Sequence, residues 1–168
     1  MNKNIPCKLR PIQKTDIPIL YELLKESLSQ RYTSVYDSKL PTYEKSEKFV
    51  LDFLKKNKDH YKKSKTKENT PQSQKSHEFD KWYVIINPKK EIVGQVFITK
   101  NDYLGYGVLK KFRRQGIASE GIRLIMKRHP RKRYYLTIHQ KNKESLGAAN
   151  KLGFKPKGLI LEKIPKQK

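Results

Sequence analysis

An apolar, β-like run over residues 103–109 gives way to a short basic turn, and that turn feeds a helical pattern. The turn reads Phe112, Arg113, Arg114, Gln115, Gly116, Ile117, Ala118, Ser119. This junction constrains the fold more than any other stretch of the chain. A strand that enters a helix through a glycine-bearing turn gathers unpaired backbone N–H groups and the helix N-terminus at one spot, where donors and dipole favour an anion. Gly116 supplies the backbone freedom, Ala118 keeps the approach narrow, and Arg113 and Arg114 add two fixed positive charges at the rim. Taken alone, the octapeptide also fits a solvated basic turn before a surface helix.

The elements around it settle the fold class. Residues 7–12 alternate loosely, as in a short first strand. Thr15 suits the N-cap of a helix over 16–29, with Ile17, Leu20, Leu23, Leu24 and Leu28 on its apolar side. A second helix starts near Thr42 and turns Tyr43, Phe49, Val50, Phe53 and Leu54 inward. Residues 55–81 then hold almost no apolar side chain, so a mobile Lys-rich loop is expected at 56–80. Strands follow at 82–87 and 91–99 around a turn at Pro88, Lys89 and Lys90, and a third consecutive strand at 103–109. After the basic turn come a helix from about Ser119 to Arg128, a strand at 134–139, a short helix at 143–152 closed by Gly153, and a last strand at 159–162. Gly121 inside the first of these helices costs roughly 1 kcal/mol against alanine, which points to tight packing there. The order β-α-α-β-β-β-α-β-α-β is mixed α/β, with an antiparallel meander and a parallel crossover at the helix after the turn.

Charge is distributed unevenly. The 168 residues carry 39 Lys and Arg against 16 Asp and Glu, a net +23. Residues 1–54 are near balance at 9 against 7, whereas residues 110–133 carry 10 against 1. Residues 141–168 add 8 against 2. A field of this kind attracts phosphorylated ligands, and equally RNA, DNA or acidic surfaces. Compositional drift towards lysine accounts for part of the excess but does not by itself cluster it. One cysteine, Cys7, excludes an internal disulfide framework, and His60, His77, His129 and His139 show no metal-ligand spacing. With no apolar run long enough to span a bilayer and no signal-like N-terminus, the expected setting is the cytoplasm.

With the basic turn placed after the third meander strand, the chain resembles the GNAT superfamily of acetyl-CoA-dependent N-acetyltransferases. That family's loop follows Gln/Arg-x-x-Gly-x-Gly/Ala, and Arg113, Gly116 and Ala118 match it. A second match runs from Leu136 through Asn142 and Ser145 to Leu152, Gly153 and Phe154, similar to the ribosomal-protein α-amino acetyltransferase branch. Gly94 in the strand after Ile92 and Val93 is also typical. The resemblance implies one N-acetyltransferase domain over residues 1–168. In such a fold the strand carrying Val108 splays from the strand carrying Leu136 and Ile138, leaving main-chain groups to bind the pantetheine arm.

By the same resemblance, the backbone from Arg114 through Gln115, Gly116, Ile117 and Ala118 to Ser119 holds the pyrophosphate, and Asn142 is a polar contact to the cofactor. Asn142 reads equally as an N-cap for the helix after it. Arg123, Lys127 and the tract 128–133 are candidates for a ribose phosphate. Many family members place a tyrosine four residues before the glycine of Leu-Gly-Phe to protonate the departing thiolate; here that position is Ala149. Ser145 is the candidate in its place, as a hydrogen-bond donor to the leaving group, or simply an early helix residue. No general base stands out; Tyr103, Tyr106, Asp102 and His139 are the candidates. The implied reaction is acetyl transfer from acetyl-CoA, without a metal, to a primary amine. Because a +23 enzyme repels polycations, a protein, peptide or nucleic-acid-associated acceptor is favoured over a polyamine. The alternative keeps the fold and the ligand without catalysis, as a basic module that binds RNA or the ribosome.

Overall fold

The computed structural model describes residues 5–28, 40–57 and 78–158. The last expected strand, at 159–162, and all but the ends of the expected mobile loop lie outside them. Four strands form one antiparallel sheet in the order β1 (Lys8–Pro11), β2 (Phe79–Ile86), β3 (Ile92–Thr99), β4 (Leu104–Val108). Short connections enforce the antiparallel pairings of the last three. Lys90, at φ 66°, closes the β2–β3 turn by donating its N–H to Asn87 O at 3.0 Å, and Thr99 N–H donates to Tyr103 O at 2.8 Å across the next.

Helices α1 (Ile17–Leu28) and α2 (Tyr43–Lys56) cover one face of the sheet, and α3 (Ile117–Arg128) covers the other. Strand alternation sorts the core between them. In β2, Trp82 and Val84 pack under α1 and α2, while Tyr83 and Ile85 pack under α3. Gly121 is where α3 presses closest: a Cβ there would lie 2.5 Å from Ile85 Cδ1, the tight packing that its presence in a helix implies.

Several boundaries differ from the sequence reading, each for a physical reason. Thr15 does not cap the first helix. A 3₁₀ turn at Lys14–Asp16 precedes α1, and Asp16 sits 3% exposed with its carboxylate accepting from Gln13 N–H at 2.7 Å and from both Arg10 amino groups at 2.7 and 3.0 Å. Thr42 does cap α2, its hydroxyl accepting from Lys45 N–H. The polar stretch ends earlier than composition suggests, because β2 begins at Phe79 and includes Asp80 and Lys81. Lys81 is 1% exposed beside Asp80, whose carboxylate also binds Arg131, so these charges satisfy one another within the sheet. A register irregularity between Phe79 and Lys81 then returns Phe79 to the face of Trp82.

The expected strand at 134–139 forms no ladder. It makes one parallel bridge, Tyr103 with Tyr135, in which Leu104 N–H donates to Tyr135 O at 2.8 Å and Tyr135 N–H to Asp102 O at 3.0 Å. Beyond Tyr135 the two segments part. Leu104 N–H faces this segment, so by alternation the main-chain groups of Tyr106 and Val108 face the gap. The last helix, α4 (Lys143–Lys151), closes its far end.

Candidate active site

The left-handed residues of the basic turn shape its backbone. Arg114 has φ 62° and Gly116 has φ 77°, and α3 opens at Ile117, two residues earlier than the sequence suggests, with Gly116 as its N-cap. A left-handed turn of this type curls successive N–H groups around a concavity. Glu120 N–H is the first to join the helix ladder, donating to Gly116 O at 3.0 Å, so the donors before it are the helix's orphan N-terminal set. An arginine held in the left-handed region costs of order 1 kcal/mol, and such strain concentrates at ligand sites.

This turn lines a cavity of about 560 Å³ between α3 and α4. Of the residues expected from sequence, Val108, Arg113, Arg114, Gly116, Ile117, Ala118, Ser119, Asn142 and Ser145 all lie on its wall. Gln115 does not; its side chain is exposed. Arg113 is less a free rim charge than a brace, with Nε donating to Val108 O at 3.0 Å and an amino group 3.3 Å from Glu26. Glu26 also accepts from Lys110 N–H at 2.6 Å, tying α1 to the start of the turn.

The basic tract 128–133 does not supply the charge at this cavity. Arg131 faces Asp80 and Asp102, and Arg128 lies over the Tyr83 ring at 5.0 Å. Instead Lys143 and Lys151, from α4, line the wall with Arg123, which is held by both carboxylate oxygens of Glu120 at 2.7 and 2.9 Å. The two lysines belong to the basic stretch 141–168, but they lie eight residues apart in sequence, and only the turns of one helix bring them to the same wall.

A second cavity, of about 850 Å³, lies on the other side of the same gap, under α1 and α2. Its wall carries Phe49, Phe79, Trp82, Phe97 and the segment 136–139. Phe49, expected in the core, is 50% exposed and turned to this opening. The two cavities meet: Ser27, Tyr106, Gly107, Asn142 and Ser145 line both.

At that seam Asn142 acts as a cap, its Oδ1 accepting from Ser145 N–H at 3.1 Å, which fixes Ser145 on the first turn of α4. Burial pushes the Tyr106 phenol above its usual range, opposed by the neighbouring Ser145 hydroxyl. The geometry of that pair falls short of a hydrogen bond, and Tyr106 Oη is a buried oxygen without a partner among the described residues. A phenol held protonated is a donor and not a base. Ala149 is buried and offers no donor in its place.

The other candidate bases fare no better. His139 lines the second cavity, but its Nδ1 accepts from Lys141 N–H at 3.1 Å, which puts the proton of the neutral ring on Nε2. Asp102 is raised by burial, with Arg131 opposing, and lines neither cavity. Tyr103, 45% exposed, stacks on Tyr135 with ring centroids 5.3 Å apart.

The family model described as acetyltransferase (GNAT) domain matches residues 7–155. The chain belongs to the GNAT acetyltransferase family. It is therefore an acyltransferase by family, as the motif resemblance implied. No curated protein sequence matches it significantly. Among solved structures it is similar to the ribosomal α-N-protein acetyltransferase RimL in complex with coenzyme A, at 18% identity and TM-score 0.65 over 94% of this chain and 84% of that one. It is also similar to the microcin C7 self-immunity acetyltransferase MccE, in complex with acetyl-CoA and AMP, at 17% identity and TM-score 0.63 over 90% and 80%. The spermidine/spermine N-acetyltransferase SpeG of Vibrio cholerae aligns at 12% identity and TM-score 0.61 over 96% and 86%. At these identities the likeness is one of fold. All three are named as acetyltransferases and none as a nucleic-acid-binding module. Among the described residues no helix is long and apolar enough to cross a membrane, and no cluster of side chains suits a metal.

Proposed function

We propose that this chain transfers an acetyl group from acetyl-CoA to a primary amine, and that the two cavities divide the substrates. The observation that carries this reading is their meeting at Tyr106, Gly107, Asn142 and Ser145. A two-substrate transfer needs separate approaches to one point, and a binding module needs only one.

The first cavity fits the donor. The left-handed turn at Arg114 and Gly116 and the orphan donors of α3 suit a pyrophosphate, and Lys143, Lys151 and Arg123 suit a further phosphate. The outer edge of β4, at the main chain of Tyr106 and the N–H of Val108, faces the gap and suits an extended amide arm, while Val108 O already accepts from Arg113 Nε. Acetyl-CoA, when bound, supplies an activated thioester. Ser145 and Tyr106 hold hydroxyl donors at the seam, where negative charge on a leaving sulfur would be stabilised. Buried with no partner among the described residues, Tyr106 Oη has a donor to offer at no cost in existing hydrogen bonds.

No strong base lines the seam among the described residues, so the amine enters neutral or yields its proton to water. A chain of net charge +23 repels polycationic amines, which favours a protein or peptide amine over a polyamine as the acceptor.

Calorimetry with acetyl-CoA tests the donor half. Gly116→Glu places a carboxylate in the turn and should abolish binding. Gly116→Ala bears the same left-handed strain without the charge and should retain most of it. Wild-type affinity in Gly116→Glu would show the site to be elsewhere.

A further inference from the structure

The second cavity is walled by aromatic faces. Phe79 packs on Phe97 with centroids 4.1 Å apart and on Trp82 at 4.7 Å, and Phe49 leans over both Phe79 at 5.5 Å and Trp82 at 6.1 Å. The one polar group of that cluster is already used, since Trp82 Nε1–H donates to Gln95 Oε1 at 2.8 Å. On the β4 side the Phe97 ring packs down over Gly105, and Gly107 has no side chain to narrow the passage where the cavity meets the seam. Lys45 is exposed at the rim, and the described lining residues include no Asp or Glu.

These features select by chemistry. A polyamine carries several positive charges that need carboxylates, and here it would meet a lysine. An apolar group on the acceptor gains by leaving water for the aromatic wall, and an aromatic ring gains further from edge-to-face contact. From this we infer that the acceptor is a primary amine carried on an aromatic or bulky apolar group, with no second positive charge. The inference rests on the transferase reading for the direction of transfer, but the pocket's ligand class stands on the wall alone.

Trp82 is the only tryptophan of the chain and forms part of that wall, so its emission reports occupancy without turnover. The full chain would be titrated with 2-phenylethylamine, phenylalanyl-alaninamide, ethylamine and spermidine, and the same amines assayed for thiol release with acetyl-CoA. The two phenyl-bearing amines should shift Trp82 emission saturably and exceed ethylamine and spermidine in kcat/KM by roughly tenfold or more. Phe49 is half-exposed, so its variants should fold. Phe49→Ala should erase most of the gap through KM, and Phe49→Glu should raise turnover of spermidine.

A higher rate with the dipeptide amide would assign a peptide α-amine, and the reverse a free arylalkylamine; either supports the inference. Equal efficiency across all four amines, or a preference for spermidine, would overturn it while leaving the transferase reading intact. Selective emission changes with no thiol release from any amine would sink the transferase reading and leave the ligand class standing.

Discussion

Gly105 and Gly107 sit two residues apart on the same face of β4, yet a methyl group added to each should do opposite things. At Gly105 a Cβ would lie 2.0 to 2.7 Å from three atoms of the Phe97 ring. That ring cannot swing aside freely, because Phe79 is stacked on it at 4.1 Å. Gly105→Ala is therefore an overpacking change, costing roughly 1–3 kcal/mol. In a chain of this size that lowers the melting temperature by about 2–12 °C.

At Gly107 the new Cβ would find Gln95 Nε2 at 3.6 Å, Gln95 Cγ at 3.7 Å and Leu23 Cδ2 at 3.8 Å, all ordinary van der Waals distances. Its φ is not in the left-handed region, so Gly107→Ala should be neutral or stabilising by about 0.5 kcal/mol through the unfolded state. Gly107 nonetheless lines both cavities where they meet. A methyl there displaces the reacting groups by about an ångström, and such a misplacement can cost of order a hundredfold in turnover. Thermal unfolding and thiol release on the same preparations separate the two effects. A Gly107→Ala variant that melts with Gly105→Ala, or one that keeps wild-type turnover, would refute the placement of the seam.

Three further outcomes follow from the same geometry. Ser145→Ala should lower kcat with little change in acetyl-CoA affinity, by up to about 3 kcal/mol in barrier if its hydroxyl meets the developing thiolate; steady-state rates against calorimetric affinity check this. Tyr106→Phe removes a buried oxygen that has no partner among the described residues, so stability should hold or rise slightly while turnover falls; a fall in melting temperature without a fall in turnover would make the phenol structural. His129, hydrogen-bonded to Tyr83 Oη at 2.7 Å, is held down to about 4 by burial and by Lys81, Arg128 and Arg131, against an ordinary 6.5. The unfolded chain binds the extra proton between those values, so this contribution to stability is full above pH 6.5 and is lost as pH drops through 4; His129→Gln should flatten that slope in denaturant titrations.

The order of elements up to α4 was legible where hydrophobic period and turn chemistry agree. Pro88 to Lys90, flanked by two apolar runs, specified a hairpin, and Gly116 before a helical pattern specified the turn. Composition misled where charges are buried in one another's company. Asp80, Lys81 and Arg131 read as solvent-facing until the fold brings them together across about 50 residues of sequence. Residues 134–139 show the converse. Their alternation is that of a strand, but a ladder needs a partner along its whole length, and the only bridge among the described residues is at Tyr103, just before β4.

The two halves of the site differ in legibility for a related reason. The proposed donor side is built mainly from backbone, and backbone conformation leaves local signatures: a glycine at φ 77°, an arginine at φ 62° two residues before it, and a helix start within the same few residues. The proposed acceptor side takes its aromatic wall from side chains on α2, β2 and β3, each of which looks in sequence like one more core residue. Phe49 satisfies the apolar stripe of α2 as well as Val50 or Phe53 does, and only packing decides that it stands half in solvent over Trp82. A family whose members share the backbone cradle can therefore differ in acceptor without leaving a motif. On the proposed reading, the aromatic wall adds to the net charge a selection that composition does not reveal, for an apolar group on the acceptor.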